Sequence, residues 1–355
     1  KKRCRNFQNH RILYRIFVQK PMRIDTYNDS HWPEVHDLFK REWPNHPEVL
    51  NKERFDHYYS DKYVVMHNNK VIAFVSMIPV YLASTYLINS ATWITLFTID
   101  KSDRSAQLKA AQLMTKELFC KDNGIVKLGF GLVPGIDIFW KKRGHYASFD
   151  HMTANIYPIN SFRMAKYANK NIFQAIGASI ISWPFHLLSH RRSSKVVKAG
   201  MDELQLSSTH ALISNLYTRS HINSSIIHHP TFYKELFSAE DRYYRVYFSI
   251  ENGKRVAYSI YRIATHPIKK MNVARLVEFG GPNQYLEDHL HNAAIWGRND
   301  FCDAVVWIAP KKQKNIALKC GYWLQQPLGI MCSSPSLVEN GVDWTGADAD
   351  FERLW

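Results

Sequence analysis

Two stretches of the sequence decide the fold: Asn69-Lys70-Val71-Ile72-Ala73-Phe74 and Gly253-Lys254-Arg255-Val256-Ala257-Tyr258, in which the second repeats the pattern of the first much later in the chain. A second pair of landmarks, Lys142-Arg143-Gly144-His145-Tyr146 and Lys319-Cys320-Gly321-Tyr322-Trp323, repeats at nearly the same separation along the chain. Two landmarks at a nearly constant separation are typical of an internal duplication. The sequence therefore predicts two copies of one structural unit.

Each copy contains a predicted β-hairpin. In the first copy, β-rich runs at Tyr63 to Met66 and Val71 to Tyr81 flank Asn68-Asn69, and asparagine tolerates the positive φ of a tight turn. In the second copy, Tyr243 to Ile250 and Val256 to Ile263 flank Asn252-Gly253, and Asn-Gly is the strongest short hairpin signal.

The same order of elements follows each hairpin: strand, helix, strand, helix. The predicted ranges are 92–98, 105–121, 125–130 and a helix before Gly144 in the first copy, and 273–279, 284–297, 302–308 and 312–319 in the second. Before the first hairpin, Met22 to Tyr27 is predicted to be a strand. Ser30 is predicted to cap a helix that has Pro33 in its first turn.

Composition limits the class of protein. The chain has 355 residues, 46% of them hydrophobic, enough for two domains of about 100 to 200 residues each. Its net charge of +15 favours an anionic partner such as coenzyme A, nucleic acid or an anionic membrane surface. The five cysteines are scattered and odd in number, which predicts reduced thiols and a cytoplasmic protein.

The copies are assigned to residues 22–160 and 201–355. Residues 1–21 form a basic extension that lacks the apolar stretch of a signal peptide, and residues 161–200 form a linker. The linker contains an apolar window, Ile172 to Leu188, that is interrupted by Gln174, Pro184 and His186 and fails the pattern of a transmembrane span. We predict a buried connecting helix there, in preference to an interfacial amphipathic one.

This order of elements resembles the GNAT superfamily of acyl-CoA-dependent N-acyltransferases, and each copy covers most of it. The resemblance implies an α/β (α+β) fold of two GNAT-like lobes, each with a mixed central sheet flanked by helices. The C-terminal Trp344-Thr345-Gly346-Ala347-Asp348-Ala349-Asp350 resembles the ending of duplicated GNAT-like proteins linked to cell-surface polysaccharide synthesis.

The resemblance also places a coenzyme site. In that family the fourth strand and the helix after it hold the pyrophosphate of acyl-CoA over backbone N–H groups. The matching residues here are Thr98, Arg104, Ser105, Ala106, Gln107, Leu108 and Lys109. Gln107 and Lys109 replace the family's two glycines, and the second copy has Gly280-Gly281 without a basic residue. The first copy is the better coenzyme candidate.

Candidate catalytic bases are Glu278, Asp100 and His145, and Trp344, Asp348 and Asp350 are candidates for holding a substrate ammonium group. The family's leaving-group tyrosine is replaced by Trp140 in the first copy and by Ala317 in the second. Protonation of the leaving thiolate therefore falls to another residue or to solvent.

Three functions stay open at this stage. The first is transfer of an acetyl or longer acyl group from acyl-CoA to a small-molecule amine, such as a nucleotide-linked amino sugar, without a metal. The second is an inactive scaffold for an anionic membrane or a nucleic acid, although the chain lacks an evident nucleic-acid recognition element. The third is acyl or aminoacyl transfer to a protein or peptidoglycan amine. The sequence does not determine the oligomeric state.

Overall fold

The computed structural model describes residues 21–44, 47–84, 88–120, 124–132, 135–167, 172–193, 195–198, 224–228, 244–265, 271–339 and 342–343. Its strands are β1 (Arg23–Thr26), β2 (Asp61–His67), β3 (Lys70–Ser84), β4 (Ile88–Ile99), β5 (Val126–Leu132), β6 (Tyr146–Pro158), β7 (Val196–Lys198), β8 (Ser224–His228), β9 (Tyr244–Glu251), β10 (Lys254–Thr265), β11 (Asn272–Gly280), β12 (Ala304–Pro310), β13 (Leu324–Cys332) and β14 (Val342–Asp343). Its helices are α1 (Trp32–Glu42), α2 (Pro47–Leu50), α3 (Lys52–Tyr58), α4 (Arg104–Met114), α5 (Ile136–Lys141), α6 (Ser161–Tyr167), α7 (Ile172–Ser193), α8 (Leu286–Asn299), α9 (Lys314–Lys319) and α10 (Pro335–Glu339). A π-helical turn, Thr115–Phe119, extends α4.

The strands form one mixed sheet in the order β1-β2-β3-β4-β5-β13-β6-β12-β11-β10-β9-β7, and β8 pairs with both β3 and β14. The pairs β4/β5, β11/β12 and β8/β14 are parallel, and the other pairs are antiparallel. Helices flank the sheet, so the predicted α/β class with a mixed central sheet is confirmed.

Each half contributes one strand to the other at the centre of the sheet. Strand β13, from the second half, lies between β5 and β6 of the first, and β6 in turn pairs with β12 of the second. The sequence prediction missed both exchanged strands. The boundaries 22–160 and 201–355 stay a prediction, but the described strands of the two halves share one continuous ladder.

The two predicted hairpins are confirmed. Asn68 and Asn69 have φ values of 49° and 62°, and Asn252 and Gly253 have values of 51° and 74°. Positive φ at both central residues matches the twist of the flanking strands, which is why asparagine and glycine occur there.

The start of the first helix differs from its prediction. The side chain of Asn28, and not that of Ser30, accepts the capping hydrogen bond, because a short 3-10 turn at Asp29–His31 precedes α1. Pro33 lies in the first turn of α1 as predicted.

Apolar clusters hold the layers together. Residues of α1, α2 and α3 pack with Phe74 and Leu96 on one face of the first half, and residues of α4 and α5 pack with Ile94 on the other face. In the second half, α8 and α9 cover β11 and β12. Both faces of the strands around β4, β5, β11 and β12 are therefore fixed by burial.

The prediction of a buried connecting helix is wrong. Helix α7 covers the predicted apolar window, but Phe173, Ile180 and Trp183 are exposed, whereas Ser182 and Ser189 are buried. The window prediction failed because it measures average hydropathy and does not identify which face of a helix packs on the protein. Among the described residues, no helix combines the length and apolar character needed to cross a bilayer.

Candidate active site

The parallel strands β4 and β5 pair over only four residue positions. Their register runs from Ala91 opposite Val126 to Ile94 opposite Gly129. Beyond this point β4 continues along β3 as far as Ile99, whereas β5 continues along β13. Beyond Ile94 and Gly129 the two strands therefore no longer pair with each other, and we call the unpaired region between their carboxyl ends the gap of the first half.

A β-bulge in β4 lies at the start of this gap. Phe74 and Ser76 of β3 pair with Thr98 and Thr95, so two residues of β4, Leu96 and Phe97, stand opposite one residue of β3. Leu96 has a φ of 49°, in the left-handed region that costs a non-glycine residue about 1 to 3 kcal/mol. An extra residue bends the strand and increases its local twist.

The second half repeats this arrangement. Strands β11 and β12 pair from Val273 opposite Ala304 to Leu276 opposite Trp307, and then separate. A register shift in the pairing with β10 marks a bulge in β11, because Ile260 pairs with Glu278 and Tyr261 with Leu276. In both halves, therefore, the pairing of the parallel strands ends beside a bulge.

The residues that border the unpaired regions of the two halves differ in their exposure. Every residue of β12 is buried, and the side chain of Gln313 reaches Asn283 across the loops that follow β12 and β11 at 3.4 Å. In the first half, Ile136 and Ile138 of α5 are exposed beside the end of β5, and Phe97 is only partly buried. Exposed apolar side chains thus follow β5 in the first half, whereas all of β12 is buried in the second.

Two glycines, Gly280 and Gly281, lie at the end of β11. An added Cβ at Gly280 would lie within 2.1 Å of the Tyr258 ring, and one at Gly281 would lie within 2.6 Å of the Ala257 side chain. Gly281 also has a φ of 127°. The two glycines thus let the end of β11 pack against β10, and this contact accounts for their presence.

The N-terminus of α4 stands at the end of β4 and is capped by Asp103. Its carboxylate accepts hydrogen bonds from the backbone N–H groups of Ser105 and Ala106 at 2.9 and 3.1 Å. These two amides belong to the predicted phosphate-binding residues. An anion that binds them has to displace a carboxylate.

The side chains of the predicted coenzyme residues have different surroundings. Arg104, Ser105, Leu108 and Lys109 are exposed, and Ala106 is buried. Thr98 is buried: its hydroxyl donates to the carbonyl of Leu96 and accepts from the indole N–H of Trp43 at 2.9 Å. Thr98 thereby ties the bulge to the end of α1.

Asp100 follows β4 directly and forms an ion pair with Arg41 at 2.8 Å. Burial raises the pKa of Asp100, but hydrogen bonds from Ser102 and the guanidinium of Arg41 outweigh burial and hold the net pKa below the usual aspartate value. A carboxylate with a low pKa binds protons weakly. Asp100 is therefore poorly suited to be a general base.

His145 lies at the other end of the strands. It precedes Tyr146, which stands level with Cys332, Leu128 and Trp93 across the sheet. At about 3.3 Å per residue, this level is about 20 Å from the end of β4. The Nε2 atom of His145 is 3.3 Å from the Sγ atom of Cys120. Burial is the main cause that lowers the pKa of His145, and the positive charges of Lys127 and Arg143 lower it further.

Glu278 lies at the bulge of β11 and is almost fully buried, where it accepts a short hydrogen bond from the hydroxyl of Tyr258. Five strand spacings of about 4.8 Å separate β11 from β4. The structure therefore does not bring Asp100, His145 and Glu278 together.

The candidate substrate residues Trp344, Asp348 and Asp350 lie outside the described residues. Within the described part of the chain, Cys120, Cys302, Cys320 and Cys332 carry free thiols. The same part contains no group of three or more metal-binding side chains.

Comparison with solved structures gives the architecture its name. N-myristoyltransferase of Saccharomyces cerevisiae with bound myristoyl-CoA matches with a TM-score of 0.56 and 11% identity, over 88% of this chain and 82% of that one. The chain has the same fold, which is the GNAT fold. A GCN5-related N-acetyltransferase from Kribbella flavida matches with a TM-score of 0.51 and 11% identity, over 88% and 70% of the two chains.

A third GNAT-fold neighbour is a protein of unknown function from Enterococcus faecalis, described as a probable N-acyltransferase. It matches with a TM-score of 0.53 and 11% identity, over 88% of this chain and 72% of that one. No protein-family model matches the chain, and no curated protein sequence is significantly similar to it. The likeness is thus one of fold.

Sequence reasoning missed three features of this site. Asp103 lies two residues before the predicted helix and directly before α4, and aspartate is a preferred N-cap residue, so its role was readable from the sequence. The bulge at Leu96 could not be predicted from the sequence, because leucine gives no signal of a positive φ. The hydrogen bond between Tyr258 and Glu278, which lie 20 residues apart on neighbouring strands, was also not predicted.

Proposed function

We propose that the protein is an acyl-CoA-dependent N-acyltransferase whose donor site is the gap between β4 and β5. The single observation that carries this proposal is the divergence of these strands after Ile94 and Gly129. An extended ligand arm can add to the exposed edge of a strand as an extra strand. The pantetheine arm of coenzyme A, with its two amides, has that shape and chemistry.

The diphosphate of the donor is assigned to the first turn of α4. A helix N-terminus favours an anion through its N–H groups and its dipole. Arg104 and Lys109 are exposed cations on this helix, and Ser105 adds a hydroxyl group. In this proposal the phosphates displace the Asp103 carboxylate from the amides of Ser105 and Ala106.

The thioester then lies beside the bulge at Leu96. The acceptor amine attacks the thioester carbonyl carbon, a C–N bond forms, and the C–S bond breaks with release of the coenzyme A thiolate. Positioning and electrostatic stabilisation supply most of the rate in such a step. Because Asp100 is ion-paired, we assign removal of the ammonium proton and protonation of the thiolate to solvent.

The acceptor that we favour is the amino group of a nucleotide-linked amino sugar. The net charge of +15 suits two anionic substrates, the coenzyme and a nucleotide. Trp344, Asp348 and Asp350 are proposed to hold the acceptor ammonium group. The second half is proposed to support the first by inserting β13 beside β5.

Isothermal titration calorimetry with acetyl-CoA and with myristoyl-CoA tests the donor site. Binding by the unmodified chain is expected, together with a stabilisation of about 2.7 kcal/mol at 100 times the dissociation constant. Replacing Arg104 and Lys109 by alanine is expected to weaken binding about tenfold, since hydrogen bonds to charged groups contribute about 1.5 to 3 kcal/mol before solvent screening.

The matched control replaces Lys314 and Lys319, two exposed cations of α9, by alanine. This control removes the same charge from the second half and is expected to bind the donor as well as the unmodified chain does. Absence of binding at millimolar acyl-CoA, or equal weakening by both double variants, would refute the donor site. Release of free thiol in the presence of a panel of amines then reports the transfer.

A further inference from the structure

Helix α7 packs on the protein with its polar side. The buried hydroxyl of Ser182 accepts a hydrogen bond from Ser161 at 2.9 Å, and the buried hydroxyl of Ser189 lies 3.0 Å from Nδ1 of His291. Nδ1 of His186 is 2.6 Å from the hydroxyl of Tyr157. These contacts fix the rotation of the helix, so its opposite side must point outward.

The outward side is apolar along its length. Five large residues follow one another at spacings of three and four and form one stripe: Phe173, Ile176, Ile180, Trp183 and Leu187, with exposed fractions of 81, 47, 68, 63 and 55%. Exposed Ile181 and Leu188 widen this stripe, and exposed Phe162 lies on the preceding helix α6. A contiguous exposed apolar patch of this kind marks an interaction surface.

The segment of chain that carries the stripe has charges of one sign. The segment from His151 to Met201 contains seven lysines and arginines and no aspartate or glutamate. Arg163, Lys166 and Lys195 are exposed in the described part of this segment, and Lys195 forms an ion pair with Asp288 of α8 at 3.7 Å. A second copy of the chain would bring an equally positive segment against this one, whereas an anionic surface complements it.

A cavity of 540 Å³ opens beside the stripe. Its lining includes Ser179 and His186, which are neighbours of Trp183 on α7 at spacings of four and three, and the cations Arg163 and Arg298. Asp303 also lines it and forms an ion pair with Arg163 at 3.2 Å. Exposed Phe301, whose φ is 55°, stands at the same place. The cavity thus combines cationic and apolar groups next to the patch.

We propose that the outward face of α6 and α7 is a docking surface for an anionic lipid bilayer. The stripe from Phe173 to Leu187 spans about 21 Å along the helix and lies parallel to the membrane plane, with its apolar side chains about 5 to 10 Å deep in the headgroup region. The surrounding cations meet the lipid phosphates. This inference does not depend on the proposed acyl transfer.

Vesicle flotation with the full chain tests the docking surface. Vesicles that mix phosphatidylcholine and anionic phosphatidylglycerol at a ratio of about two to one are compared with vesicles of pure phosphatidylcholine, each at low and high salt. Binding is expected to the anionic vesicles and to weaken in high salt. The variant Ile180→Ser/Trp183→Ser is expected to lower the partition coefficient at least tenfold, because it removes two apolar anchors.

The matched control is Ile250→Ser/Leu318→Ser, which changes two exposed apolar residues outside the segment. It is expected to bind vesicles as the unmodified chain does. Two results would overturn the proposal: failure of the unmodified chain to bind anionic vesicles, or equal binding by Ile180→Ser/Trp183→Ser. Analytical ultracentrifugation gives a third: a dimer that dissociates in that variant, without vesicle binding, would identify a second copy as the occupant.

Discussion

Asp103 offers the sharpest single test of the proposed phosphate site. Its carboxylate holds the N–H groups of Ser105 and Ala106 at 2.9 and 3.1 Å, the same groups that are assigned to the donor diphosphate. Loss of an N-cap side chain costs about 1 kcal/mol of stability. Asp103→Ala should therefore lower the melting temperature by about 2 °C, as expected for a domain of more than about 150 residues.

The same change should strengthen donor binding. In the unmodified chain the diphosphate has to release the cap, and the variant has no cap to release. A saving of about 1 kcal/mol corresponds to about fivefold tighter binding. Asp103→Asn keeps a good capping residue but removes the negative charge, so it should retain stability and bind the donor about twofold tighter.

Calorimetry with acetyl-CoA and thermal unfolding of the three proteins measure both effects. The expected order of affinity is Asp103→Ala first, Asp103→Asn second and the unmodified chain last. If Asp103→Ala loses stability but binds acetyl-CoA no more tightly, or more weakly, the diphosphate does not bind at the start of α4.

Three further predictions concern the second half and its packing against the first. Tyr258→Phe removes one hydrogen-bond donor from the buried carboxylate of Glu278. It should lower the free energy of unfolding in urea by about 1 to 3 kcal/mol, and adding Glu278→Gln should restore part of this loss. An unchanged midpoint of unfolding would show that this hydrogen bond contributes nothing to stability. Burial lowers the pKa of His289 to about 3. Between pH 6.5 and pH 3, His289 is therefore protonated in the unfolded chain and neutral in the folded chain. Stability should therefore be complete above pH 6.5 and fall by up to about 1.4 kcal/mol per unit as the pH drops towards 3; His289→Gln should flatten this slope, and an equally steep slope would contradict the assignment. A fragment of residues 22–160 should not fold alone, because it lacks the strand between β5 and β6, and coexpression with residues 161–355 should restore a soluble complex; a cooperatively folded isolated fragment would disprove this dependence.

Local sequence signals predicted the elements that they control directly. The Asn-Asn and Asn-Gly turns set the two hairpins, and repeated strand and helix patterns gave the order of elements in each half. These predictions succeeded because a tight turn and a periodic apolar face are determined by neighbouring residues.

Features that depend on distant partners were not predictable. The exchange of β6 and β13 joins strands from opposite halves of the chain. The orientation of α7 depends on hydrogen bonds to Tyr157, Ser161 and His291, so its average hydropathy predicted burial where the structure shows exposure. Candidate bases were chosen by residue type, and the sheet places them far apart.

The most direct test of the central claim is a crystal structure of the full chain with a thioether analogue of acetyl-CoA, which cannot transfer its acyl group. The account predicts the pantetheine arm between β4 and β5 beyond Ile94 and Gly129, with the diphosphate at the first turn of α4. An analogue bound between β11 and β12, or bound elsewhere while the gap between β4 and β5 stays empty, would contradict it.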